Sequence, residues 1–207
     1  MASTTERRRR LSREDWIDTA LNALVAEGIE PVLLKLVGYL PDIEAAFPVE
    51  LLKASDNADL AILLCSEVVS GLPQLKLSTH TPAPGDEVIV MGYPTGMRSM
   101  LAQTGDDFLA ELQQDEDLDF WGVAERLSAA GFIRPLASRG IVGQRSESAV
   151  VYDADTTHGG SGGPVLDIDG NTIAVNTAII PEYGGSNFGI PVEYARQLLA
   201  EAGIVIE

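Results

Sequence analysis

One cysteine, Cys65, and two histidines, His80 and His158, are all that this 207-residue chain has of the residue types that most often bind metals or form cross-links. A single thiol excludes an intrachain disulfide and agrees with a reducing compartment. No His/Cys cluster has metal-ligand spacing, and no glycine-rich loop between a strand and a helix has a phosphate-binding pattern, so neither a metal nor a cofactor is expected. Basic residues are scarce: 14 Lys and Arg stand against 31 Asp and Glu, for a formal charge of −17. That charge repels phosphates and argues against nucleic acid, while it suits a solvated protein or one drawn to basic polypeptides. Long apolar runs are missing too, and nothing approaches the roughly 18–20 residues that cross a bilayer. Arg7 to Arg10 are followed by Arg13, Glu14 and Asp15 rather than an apolar core, which excludes a signal peptide. A cytoplasmic location is the expectation.

What is present is mostly β. Residues 1–30 read as a basic tail followed by an amphipathic helix, with Ser12 as its cap, Ile17, Leu21, Leu24 and Val25 on one face, and Gly28 as its stop. From about residue 31 short apolar runs alternate with Pro, Gly and Asp. Asp59 to Cys65 reads as a buried strand, and Glu87 to Tyr93 as another, introduced by the turn Pro84-Gly85-Asp86. Residues 98–137 break the rhythm with helical spacing of Phe108, Leu109 and Leu112, and again of Phe120, Val123, Ala124 and Leu127. Seven acidic residues between Gly105 and Glu125 make this a solvated acidic insertion or a lid over a cleft. Five further strands follow at 140–145, 149–154, 163–168, 172–179 and 187–192, with a hairpin turn at Asp169-Gly170. With 87–93 they suffice to close a small antiparallel barrel. A helix over 192–203 ends the chain.

The segment Thr157-His158-Gly159-Gly160-Ser161-Gly162-Gly163-Pro164-Val165 has the form of a loop that presents a serine. Glycines crowd both sides and an apolar strand follows at once. A serine hydroxyl is a weak nucleophile unless a base takes its proton and an acid orients that base. Residues 153–166 resemble the nucleophile loop of the chymotrypsin/trypsin-like serine proteases, nearest the Do-like (HtrA-type) and glutamyl-endopeptidase-type branches. The likeness continues through ASDNADLAILLC at 54–65, PGDEVIVMGYPTG at 84–96, RGIVGQ at 139–144, GNTIAVNTAI at 170–179 and NFGIPVEYARQLLAEAG at 187–203. It covers about residues 50–96 and 138–203.

The resemblance implies a trypsin-like double β-barrel: a partial first barrel over 31–80 and a complete second barrel over 81–207, with the helical insertion 98–137 and helices at both ends. It implies Ser161 as nucleophile and Asp59 as the triad aspartate. Backbone N–H groups of Gly159 and Ser161, flanking Gly160, would form an oxyanion hole. Asn176, Thr177 and Ala178 would pair with an extended peptide substrate. Read without the family, Asp59 is a turn aspartate opening a strand, and Asp56 competes for its role. Asp155 reads either as a structural loop carboxylate or as the floor of a specificity pocket for Arg or Lys.

The chain departs from the family at the base. The family order is His, Asp, Ser, and upstream of Asp59 there is no histidine. Too few residues precede Asp59 for the usual first-barrel strands, so that barrel is expected to be incomplete. Residues 11–32 instead resemble the first helix of TetR-type repressors, without any turn or recognition helix, so DNA binding does not carry over. His158 reads as a loop residue beside the cleft and His80 as an exposed linker residue. Three readings follow: an impaired serine endopeptidase, a peptide-binding pseudo-protease, and a rearranged or truncated gene product that can coincide with either.

Overall fold

The computed structural model describes residues 36–39, 46–65, 74–93, 96–115, 117–156, 159–179 and 186–206. The expected helix over 12–28, the repressor-like segment 11–32 and His158 lie outside these residues. Apart from Leu36, the described residues all lie in one compact unit, Val37–Glu207.

A three-stranded sheet comes first, in the order β1 (Leu36–Gly38), β2 (Phe47–Ala54), β3 (Ala61–Cys65). β2 and β3 are antiparallel, with Ala54 opposite Ala61 and Val49 opposite Cys65. The connection is tied by Ser55, whose hydroxyl oxygen accepts from the N–H groups of Asn57 at 3.3 Å and Ala58 at 3.2 Å. This serine turn closes the hairpin and delivers Asp59 at its exit. The expectation of a buried strand at 59–65 fails in part. The strand runs over 61–65, but Leu63, Leu64 and Cys65 are exposed, as are Leu51 and Leu52 on β2. Three strands cannot wrap around their own side chains, and the unbroken apolar run AILLC cannot reveal how many neighbours cover it.

Six strands then close a barrel: β4 (Glu87–Gly92), β5 (Leu136–Arg145), β6 (Val150–Tyr152), β7 (Pro164–Leu166), β8 (Thr172–Ile179) and β9 (Asn187–Pro191), in the order β4-β5-β6-β9-β8-β7. Closure follows from β4 pairing with both β5 and β7. Alternation sets the inner face. Val88 and Val90 of β4, Val142 of β5, Val150 and Tyr152 of β6, Val165 of β7 and Ile173 of β8 form one buried cluster. Each such side chain removed from water contributes about 1.5–3 kcal/mol. The turns sit where glycine permits them: Gly85 and Gly170 have φ of 95° and 82°.

The insertion between β4 and β5 is helical, with α1 (Met97–Leu101), α2 (Asp106–Gln113) and α3 (Phe120–Ala129). Asp119 caps α3 by accepting from the Gly122 N–H at 2.8 Å. Ala124 and Leu127 turn inward, and Phe108 meets Phe132 edge-on at 5.1 Å. An Arg126–Asp115 ion pair joins α3 to the segment after α2. The final helix α4 (Val192–Glu201) buries Val192 and Leu198, and its Arg196 donates to the carbonyls of Leu77 and Ser78. Lys53 of β2 reaches Glu201 at 3.1 Å, which ties the small sheet to the barrel's closing helix.

Gly140 gives this packing a direct test. A Cβ there would lie 2.3 Å from the Ala154 nitrogen, whereas at Gly143 on the same strand the nearest atom is 3.9 Å away. Gly140→Ala should lose about 1–3 kcal/mol of stability by overpacking, and Gly143→Ala less than about 0.5 kcal/mol, as read by urea unfolding of the two variants.

Candidate active site

β8 is longer than its neighbour β7, and that difference builds the site. The last pair between them is Pro164 opposite Val175. One step further the glycine loop takes over as partner: the Gly162 N–H donates to the Asn176 carbonyl at 2.8 Å, and the Asn176 N–H donates to the Gly163 carbonyl at 2.9 Å. The loop also folds on itself, with Gly163 N–H donating to the Gly160 carbonyl at 3.1 Å. Glycine is needed here for space and for backbone angle. A Cβ on Gly163 would lie 2.1 Å from the Met91 carbonyl oxygen, and one on Gly159, whose φ is +94°, would lie 2.6 Å from that of Tyr93.

Asn176 anchors this clamp from within. Its side chain is buried; its Oδ1 accepts from the Tyr152 hydroxyl at 2.5 Å and its Nδ2 donates to Thr156 Oγ1 at 3.4 Å. Burial raises the Tyr152 pKa far above that of a free phenol, so the hydroxyl remains a donor. The carboxamide is thus a strut between the core and the loop, with no free edge for a peptide. This strut was not legible from the sequence, because a polar residue in a strand does not disclose which face it takes when the edge also needs one.

Ser161 stands exposed at the crest. Its hydroxyl donates to the Thr177 carbonyl oxygen at 3.2 Å, and the Thr177 hydroxyl donates to Asp59 Oδ2 at 3.1 Å. One residue of β8 therefore links the serine loop of the barrel to the hairpin exit of the small sheet. Of the two competing aspartates, Asp59 makes this contact; Asp56 is exposed in the turn. Among the described residues, the N–H groups of Gly159 and Ser161 donate to no partner. Gly160, between them, is buried. Two such free donors beside a hydroxyl can stabilise an oxyanion, and one donor of this kind is typically worth about 2.7–4 kcal/mol in a transition state.

The remaining candidates fall out as follows. Asp153 is a structural carboxylate: it accepts from the Ile141 N–H at 2.6 Å. Asp155 is exposed, its carbonyl accepts from the Ser138 hydroxyl at 2.5 Å, and it lines a cavity of about 220 Å³ with Val90, Gly92, Leu136 and Ala137. Ala178 follows Thr177 on β8, opposite Phe188 of β9. His80 is 72% exposed, with Nε2 3.7 Å from Asp86 Oδ2. It lies where β4 begins, whereas the glycine loop packs on Gly92 where β4 ends. Among the described residues no group of His, Cys, Asp and Glu is placed to hold a metal ion, and no helix is long and apolar enough to cross a membrane.

Known proteins share this fold. The trypsin-like peptidase domain model matches residues 19–175, which takes in Asp59 and the serine loop. The chain belongs to the trypsin-like peptidase family. Among individual proteins, it is 28% identical over 157 residues to a mitochondrial serine protease HTRA2 of Drosophila pseudoobscura pseudoobscura, which covers 75% of this chain and 30% of that protein. It is also 28% identical over 156 residues to the periplasmic pH-dependent serine endoprotease DegQ of Escherichia coli, covering 73% of this chain and 28% of that one. The chain thus spans under a third of these relatives. A solved serine endoprotease from Yersinia pestis superposes with a TM-score of 0.59 at 18% identity, over 84% of this chain and 50% of that one, and supports the shared fold. HtrA/Do-like serine proteases are among its relatives within this family.

Removing one hydroxyl tests the Tyr152–Asn176 strut. Tyr152→Phe orphans a buried carbonyl oxygen and should cost about 1–3 kcal/mol. Thermal unfolding reads the loss, and an unchanged melting temperature would show that the strut holds nothing.

Proposed function

We propose that this peptidase domain binds extended polypeptides beside Ser161 and that acyl transfer at Ser161 is impaired for want of a base in this chain. The observation that carries the reading is the line Ser161–Thr177–Asp59 beside two N–H donors with no partner among the described residues. In the proposed roles Ser161 is the nucleophile, Asp59 orients a base, and Gly159 and Ser161, with Gly160 holding the bend, stabilise the oxyanion. A carbonyl accepts the Ser161 hydroxyl hydrogen bond, and a neutral carbonyl does not remove a proton. That favours slow turnover, and in the limit a pseudo-protease that binds without cleaving.

The peptide is assigned to the edge of β8. Beyond Asn176 that strand has β9 on one side and, among the described residues, no strand on the other, so Thr177 and Ala178 can take a peptide by β-augmentation. The mainly apolar cavity beside Gly92, with Asp155 among its lining residues, suits the aliphatic stem and cationic head of Lys or Arg. The insertion α1–α3 leaves β4 after Gly92 and returns at Leu136, both of which line that cavity, so we assign it to the rim of the cleft. The exposed, unpaired Cys65 suits the reducing cytoplasm as the working compartment.

Labelling with a fluorophosphonate probe tests the nucleophile. Wild-type protein should label at Ser161 slowly and Ser161→Ala not at all; a protein that has lost one triad member keeps about 10³–10⁴-fold catalysis over water. Peptide affinity should be the same in both proteins, by fluorescence polarisation. Labelling that persists in Ser161→Ala, or no peptide binding at high micromolar concentration, contradicts the proposal.

A further inference from the structure

We propose that the general base at this site is supplied by the bound polypeptide itself, as a histidine on the acyl side of the scissile bond. The inference rests on the reading of Ser161 as the nucleophile of a peptide-binding cleft. Its physical basis is the mismatch between two groups that Thr177 holds one residue apart. Asp59 Oδ2 accepts from the Thr177 hydroxyl, and Oδ1 has no partner among the described residues. Asp59 and Ser161 are both exposed. The carboxylate calls for a donor, and the serine hydroxyl, which donates to the Thr177 carbonyl, for an acceptor able to take its proton. A neutral imidazole offers both at once, an N–H on one side and a lone pair on the other, and near neutral pH it exchanges a proton readily. A lysine ammonium has donors only, and a second carboxylate acceptors only.

His80 of this chain stands at the opposite end of β4 from the glycine loop. A peptide paired along β8 from Thr177 onward brings its own side chains to the line between Asp59 and Ser161. The proton then balances through the whole cycle. As Ser161 Oγ bonds to the substrate carbonyl carbon, its proton passes to the histidine Nε2, and the oxyanion is held by the Gly159 and Ser161 N–H groups. The imidazolium returns the proton to the amine as the C–N bond breaks. Because the histidine is on the acyl side, it stays attached to the ester. It takes a proton from the attacking water and passes it to Ser161 Oγ as the acyl group leaves. A histidine on the leaving side would serve only the first half.

The test digests a mixed peptide library with the full chain, using Ser161→Ala as the blank, and maps cleavage sites by mass spectrometry. Cleavage should be enriched at least about tenfold at peptides with histidine within two residues of the cut on the acyl side. General base catalysis is typically worth about 10²–10⁴-fold in rate. Free imidazole, used as a probe, should extend cleavage to histidine-free peptides and speed fluorophosphonate labelling of Ser161 with saturation. His158→Ala should keep the same histidine enrichment, and Asp59→Asn should lower it. Serine-dependent cleavage with no histidine preference overturns this inference alone. So does loss of all cleavage in a folded His158→Ala variant, which would put the base in this chain. Peptide binding and Ser161 labelling with no cleavage of any peptide, with or without imidazole, also overturns it while sparing the binding site. Absence of both binding and labelling overturns the proposed function as well.

Discussion

Two reciprocal hydrogen bonds, Gly162 N–H to the Asn176 carbonyl and Asn176 N–H to the Gly163 carbonyl, fix the serine loop to the barrel. They extend the β7–β8 ladder into a stretch that otherwise is a run of glycines with little tendency to hold any one shape. Because the ladder is extended there, Ser161 arches over Thr177, and the N–H groups of Gly159 and Ser161 are left with no internal partner among the described residues. A loop free to relax would satisfy those donors elsewhere. The cost of keeping them open is carried by the buried Tyr152–Asn176 strut and by the close approach of Gly163 to Met91.

Thr177 extends the same constraint to the other sheet. Its carbonyl faces Ser161 and its hydroxyl faces Asp59, so the register of β8 sets both the height of the serine and the reach of the aspartate. The small sheet contributes little apolar burial, with Leu51, Leu52, Leu63 and Leu64 exposed. Its described polar links to the barrel side are Asp59 to Thr177 and Lys53 to Glu201. The Glu201 pKa is lowered chiefly by its hydrogen bond to Lys53, with a second bond from Gln197. That link is therefore present above the unfolded-state carboxylate pKa and is lost as pH falls through the folded value.

Much of this architecture was legible in the sequence. All six barrel strands follow from alternation and turn residues, because a closed barrel buries one face of every strand and leaves the other wet. The helical insertion and the final helix follow from their apolar spacing. The serine loop was visible because few other structures need so many glycines around one serine. Burial of the strand at Ala61–Cys65 was not legible, since apolar residues in a row fit a covered strand and an uncovered one equally. Nor were the side-chain partners within the site: the Asp153 carboxylate takes the Ile141 N–H of β5, and the Asn176 carboxamide faces the core. Those depend on which side of the backbone each group takes, a choice made by long-range partners such as Ile141 and Tyr152.

The serine loop is held at Gly162 and Asn176, while the Gly159 and Ser161 N–H groups have no partner among the described residues. Amide hydrogen exchange measured residue by residue addresses this directly, since protection reports whether a donor is engaged. The account predicts protection at Gly162 and Asn176 close to that of the barrel strands, and fast exchange at Gly159 and Ser161. Fast exchange at all four would show a loop that the barrel does not hold, and protection at all four would show that no donor is free for an oxyanion.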